Sequence, residues 1–338
     1  MTSDWPRVQL HVVTGKGGTG KSTVAAALAL GLASHGKNVL LCEVEGRQGV
    51  ARMFDVDPLP YAETRIATGL RWPDERGADR PPGSVYALHI DAEQALLEYL
   101  RMYYKLGPAG RALDRFGVVE FATTVAPGVR DVLLTGKVFE AVQRNSRNRG
   151  ARQYDAVVLD APPTGRITSF LNVSESVAGL AKVGPIKHQA DTMMTLFRSP
   201  RTAVHLVTLL EEMPVQETVD GIAELRSARL PVGGVIINQV RPRDLPDEAL
   251  DAARAGSLDA GTVADDLKRA GIEPGERLVA TLLDEAREYA ERRALEDRQW
   301  ETVSRLGVPT YHLERLAGGV DLGGLYELAA DLKEQGLA

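Results

Sequence analysis

Gly15-Lys16-Gly17-Gly18-Thr19-Gly20-Lys21-Ser22-Thr23 is the stretch whose reading decides the fold. It fits the phosphate-binding pattern G-x-x-x-x-G-K-[ST]. Its glycines allow a tight turn whose backbone N–H groups point inward at an anion, so Gly15, Gly17, Gly18, Thr19 and Gly20 form a candidate cradle. Lys21 supplies a positive charge for the β- and γ-phosphates of a nucleoside triphosphate, the Ser22 hydroxyl is a candidate Mg²⁺ ligand, and Thr23, next in the chain, is a further candidate nucleotide contact. The flanks agree. Val8–Val13 reads as a short buried strand, and Val24–Leu30 is rich in helix formers. The loop therefore falls between a strand and a helix N-terminus, where the helix dipole favours phosphate. A second lysine, Lys16, follows the first glycine. It suggests a machine that pairs with another subunit around its nucleotide.

Outward from the loop, apolar runs recur at Val39–Cys42, Val85–Ile90, Ala156–Leu159, Ala203–Thr208, Val232–Ile237 and Thr310–Leu313, with helical stretches between them. This alternation predicts an α/β fold of the P-loop NTPase type: a mostly parallel sheet with helices on both faces. The 338 residues suit a single α/β domain over 1–338 with insertions. Two segments exceed a minimal sheet, 92–143 and 174–200, and read as an inserted helical subdomain. Met193, Met194, Leu196 and Phe197 in the second are expected to form a small core, with a groove for apolar helices as the alternative. Residues 71–84 read as a polar, Pro-rich surface loop. Ala286–Trp300 reads as one long, charged surface helix.

The net charge of −6 argues against bulk electrostatic binding to nucleic acid. Cys42 is the sole cysteine, which excludes an internal disulfide and a Cys-x-x-Cys zinc clamp. It is expected to be a small buried hydrophobe. The N-terminus has no apolar signal core, and no apolar run approaches the ~20 residues of a spanning helix. A cytoplasmic protein is expected, docking at most peripherally at a membrane.

Tyr154–Asp160 is an apolar strand that ends in an acid, followed by Ala161-Pro162-Pro163-Thr164-Gly165-Arg166. Ligands of parallel sheets bind beyond the strand carboxyl ends, and a carboxylate there suits Mg²⁺. The stiff Pro-Pro step and flexible Gly165 suit a loop that responds to loss of the γ-phosphate.

The two motifs together resemble the anion-transporting ATPases, which include the arsenite-pump ATPase and the ATPase that targets tail-anchored membrane proteins. Asp160–Arg166 is similar to the family's D-T-A-P-T-G-H, Ala126-Pro127-Gly128 to its L-P-G helix start, and Ile236-Ile237-Asn238-Gln239 to its V-V-N-Q strand end. The chain looks closest to the actinobacterial members that occur as paired, non-identical subunits. The resemblance implies that Lys16 reaches a partner's phosphates across a dimer and that Lys21 binds those of its own subunit. It also implies that Ser22 and Asp160 hold Mg²⁺, the latter through water, and that Asn238 reads adenine. The implied partners are a second copy or a paralogous subunit, and a membrane-protein client.

One departure concerns the first switch, D-P-A-H-N in the family and Glu43-Val44-Glu45-Gly46-Arg47-Gln48-Gly49 here. Glu45 aligns with the water-positioning aspartate but is one methylene longer, which implies slow or partner-dependent hydrolysis. Three readings stay open: an ATP-driven client switch, a partition or division-site positioning ATPase, and a weakly hydrolysing regulatory subunit. The acidic last segment, Tyr326–Glu334, disfavours attraction to anionic lipid.

Overall fold

The computed structural model describes residues 3–44, 48–73, 79–104, 127–144, 151–173 and 185–338. Strands β1 (Leu10–Gly15), β2 (Val39–Glu43), β3 (Thr64–Thr68), β6 (Ser84–His89), β7 (Ala156–Asp160), β8 (Thr202–Thr208), β9 (Val232–Val240) and β10 (Thr310–Glu314) form one eight-stranded sheet in the order β10-β9-β8-β1-β7-β2-β6-β3. All neighbours are parallel except β3, which runs antiparallel to β6 at the edge. The seven strands expected from apolar runs are all present. The eighth, β3, has Arg65 exposed and no continuous apolar run, as suits an edge. Within 71–84, β4 (Trp72–Pro73) and β5 (Asp79–Arg80) pair as a two-residue ribbon.

The inner strands β1, β2, β7 and β8 are buried on both faces, so their apolar residues divide between two cores. One holds Val13, Val39, Leu41, Val158 and Val207. It is covered by α1 (Lys21–Ser34), α2 (Gly49–Met53) and the C-terminal helix α11 (Leu322–Glu334). The alanine-rich α1 is buried continuously from Val24 to Ser34. The acidic last segment is α11, whose Leu325, Leu328 and Leu332 enter this core.

The opposite core holds Leu10, Val12, Cys42, Leu159 and Leu206 under α4 (Pro127–Gln143), α5 (Thr164–Leu171), α6 (Pro185–Phe197) and α7 (Glu212–Ser227). Met193, Met194, Leu196 and Phe197 all lie in it, so this apolar stripe is neither a groove nor the small separate core expected under an insertion, but part of the sheet's own core. Helix α3 (Ala92–Tyr104) precedes α4 in the chain. Residues 105–126 and 174–184 of the two insertion segments lie outside the described residues. Beyond β9, α8 (Asp247–Ala255), α9 (Ala260–Arg269) and α10 (Glu276–Ser304) follow, the last containing the expected charged helix. Cys42 is fully buried, and burial pushes its thiol pKa upward, so it stays an inert thiol.

Candidate nucleotide-binding site

The chain order places β1 at the centre, with β7 on one side and β8 on the other. From β1 the chain runs to β2 on one side, and after β7 it crosses to β8 on the other. That makes the carboxyl end of β1 the crevice where open α/β sheets bind ligands. Gly15 ends the strand in register with Val207, and any Cβ there would overlap the Val207 carbonyl. Gly20 has φ 88°, in the left-handed region, and immediately precedes α1. A side chain at Gly20 would be strained and would collide with the Asn238 amide.

Inside the turn, Thr19 Oγ1 donates to the Lys16 carbonyl at 2.9 Å. Asn238, buried near the end of β9, donates from Nδ2 to the Thr19 carbonyl at 2.8 Å. The sequence pointed to Asn238 as an adenine contact; the structure adds that its amide NH₂ braces the loop. Gly17 and Gly18 are exposed and Lys16 is partly so. Lys16 Nζ forms an ion pair of 3.0 Å with Glu217 Oε1 of α7. No spacing in the sequence links these two residues, and Glu217 was missed.

Lys21, Ser22 and Thr23 open α1, all partly exposed at the mouth. Ser22 Oγ donates to Asp160 Oδ2 at 2.5 Å, joining two residues 138 positions apart. The pair offers hard oxygen donors beside the loop, few in number, as suits an ion that keeps most of its waters. Thr14 Oγ1 donates to the Pro162 carbonyl at 2.7 Å, tying β1 to the loop after β7. That loop ends at α5, where Arg166 pairs with Asp131 of α4 at 3.3 Å. Burial raises the Asp131 carboxyl pKa, with Arg166 pulling against it. Both residues line a cavity of about 180 Å³ with Arg130, Pro162 and Phe170. Glu45, the expected water-positioning group, lies outside the described residues.

A phosphate cradle of this kind at the switch point of a parallel sheet defines a P-loop nucleotide-binding protein. The family model for anion-transporting ATPases matches residues 8–201. The chain belongs to the anion-transporting ATPase family. It is 51% identical over 337 residues to the ATPase BagA of Mycobacterium tuberculosis, covering 98% of this chain and 96% of that protein. It is 29% identical over 232 residues to an arsenical pump-driving ATPase of Escherichia coli, covering 68% of this chain and 34% of that one. With the ATPase GET3B of Arabidopsis thaliana it shares 24% identity over 284 residues, covering 70% and 65%.

Proposed function

We propose that this chain is an Mg²⁺-dependent ATPase whose subunits close in pairs around ATP, and that closure controls binding of a client or membrane partner. The observation that carries the proposal is the joining of the phosphate loop to the strand-end acid, Ser22 to Asp160. The loop glycines and Thr19 offer backbone amides to the phosphates, and Lys21 neutralises the β- and γ-phosphate charge. Ser22 and Asp160 are the residues to hold Mg²⁺, Asp160 through water. An ion held there would supply positive charge against the charge that grows on the phosphates. With Nδ2 on Thr19, Asn238 keeps its Oδ1 for the adenine amino group.

Lys16 acts in trans, stabilising charge that grows in the transition state as an arginine finger does. Its exposure and its replaceable carboxylate partner support that role. Glu45 positions the attacking water. The loop Asp160–Arg166 reports γ-phosphate loss to α4 through the Arg166–Asp131 pair, within a single domain of 1–338. The insertion segments 92–143 and 174–200 form the helical subdomain that meets the client. Among the described residues, no helix is long and apolar enough to cross a membrane. Docking at a membrane, in this reading, uses a surface of these segments or a partner.

Light scattering of the purified chain with Mg²⁺ and ATP, ADP or no nucleotide tests the assembly. A mass that doubles only with ATP supports the proposal; one indifferent to nucleotide refutes pairing by one chain. Doubling only when a paralogous subunit is added would favour the heteromeric form, in which the longer Glu45 makes this chain the regulatory partner.

A further inference from the structure

Asp160, Glu43 and His89 form a row across three neighbouring strands. Glu43 is in register with Asp160 of β7 on one side and His89 of β6 on the other. Residues in register on parallel strands project to one face. Alternation from Leu41 and Val158 puts that face on the α1 side, and Asp160 meets Ser22 there. Glu43 is 3% exposed, and a carboxylate so buried is costly unless its oxygens are engaged. Oε1 accepts the Gly49 backbone N–H at 2.7 Å. Oε2 faces His89 Nδ1 at 3.4 Å, and neither of those atoms has a hydrogen-bond partner among the described residues.

Gly49 is the first residue of α2, and α2 is tied to the nucleotide loop at its other end. Thr23 Oγ1 donates to Met53 Sδ at 3.7 Å, and Val50 and Ala51 pack in the core that holds α1. Gln48 fixes the approach by bonding both backbone groups of Leu59, at 3.1 and 2.8 Å. The Glu43–Gly49 bond thus closes the stretch of chain that contains Glu45 in sequence. It anchors α2 against the first turn of α1, one residue from Ser22.

We propose that Glu43 is a positioning residue for the reaction at the phosphate loop. It acts through the Gly49 amide and α2, with His89 orienting its second oxygen. The inference rests on the ATPase reading above. A purely apolar core at this place would need neither the carboxylate nor the imidazole, whose partly satisfied pairing is less favourable than aliphatic packing.

The test compares wild type with Glu43→Ala, Glu43→Gln and His89→Asn. The readouts are Mg-ATP affinity by calorimetry, steady-state turnover, and hydrogen exchange of the 49–53 amides without nucleotide. Glu43→Ala is expected to speed exchange of these amides and lower kcat about tenfold, with ATP affinity within about threefold of wild type, because misplacement costs rate more than binding. Glu43→Gln keeps a carbonyl acceptor for Gly49 and is expected to restore protection and most of the turnover. His89→Asn is expected to fall between. Wild-type turnover in Glu43→Ala, or joint loss of affinity and amide protection that Gln does not rescue, overturns the inference alone. A wild-type chain without Mg-dependent ATP binding overturns the ATPase reading, and this inference falls with it. Slow exchange of 49–53 in Glu43→Ala refutes the anchor even then.

Discussion

Lys16 Nζ and Glu217 Oε1 lie 3.0 Å apart, so the additional lysine of the phosphate loop is held by a carboxylate of its own chain. Both side chains are about a third exposed, and pairs of this kind contribute only ~0–1 kcal/mol. A contact this weak can yield to a stronger anion, as the proposed role of Lys16 across a subunit interface requires. Lys16→Ala is expected to leave Mg-ATP affinity within a few-fold while lowering turnover by about 10³ or more, the scale of a charge supplied in trans. Glu217→Gln should tighten ATP-dependent association by no more than about fivefold, the effect of freeing one surface pair. Calorimetry, turnover and light scattering on the two variants check both outcomes.

Ser22 and Asp160 meet at 2.5 Å. Ser22→Ala and Asp160→Asn are each expected to remove most of the gain in ATP affinity that Mg²⁺ gives wild type. ADP binding without the ion should change little. Nucleotide titrations with Mg²⁺ and with chelator measure the difference directly.

Gly20 combines a left-handed φ with the Asn238 amide at the place of a Cβ. Gly20→Ala is expected to cost ~1–2 kcal/mol from backbone strain alone. Displacing Asn238 from the Thr19 carbonyl adds to that and weakens ATP binding as well. Asn238→Ala, which makes room, should partly restore stability in the double variant but not adenine affinity. Denaturant midpoints and ATP titrations of the single and double variants read these two effects separately.

His11 and His205 stack deep in the sheet, Nδ1 of the first 3.1 Å from Nε2 of the second. The Gly234 N–H donates to His205 Nδ1, so His205 carries its proton on Nε2 and donates it to His11. Burial lowers the His205 pKa to about 3, and burial, His205 and Lys37 lower that of His11 well below its ordinary value. The unfolded chain therefore binds more protons than the folded one below about pH 6.5, and stability falls as pH drops from there. The slope approaches ~1.4 kcal/mol per pH unit for each histidine. Urea midpoints between pH 7 and 5 should decline, and His205→Asn, which keeps an acceptor for Gly234, should flatten the decline by about one proton.

The parts of the sequence that read clearly were those governed by local chemistry. The glycine-lysine loop, Val39–Cys42 and Ala156–Leu159 carry their conformations in neighbouring residues, and all form as expected. Strand ends ran one to three residues further, to Gly15, Glu43 and Val240, while the acid end of the strand at Asp160 stands as expected. Polar residues at the ligand end of a parallel sheet still pair with their neighbours, so hydrophobicity stops before the ladder does. Glu217, the Asn238–Thr19 brace and the Glu43–His89 contact were not legible. Each depends on register or on helix placement between residues far apart in the chain, which periodicity does not encode. Met193 to Phe197 could have lined a groove or a core, and only packing against α4 decided for the core.

Titration calorimetry of the purified chain with ATP, with and without Mg²⁺, tests the central claim most directly. Saturable binding of one ATP per chain, strengthened by Mg²⁺ and lost in Lys21→Ala, is the expected result. Heat indistinguishable from dilution for ATP with Mg²⁺, in a chain shown to be folded, would contradict it.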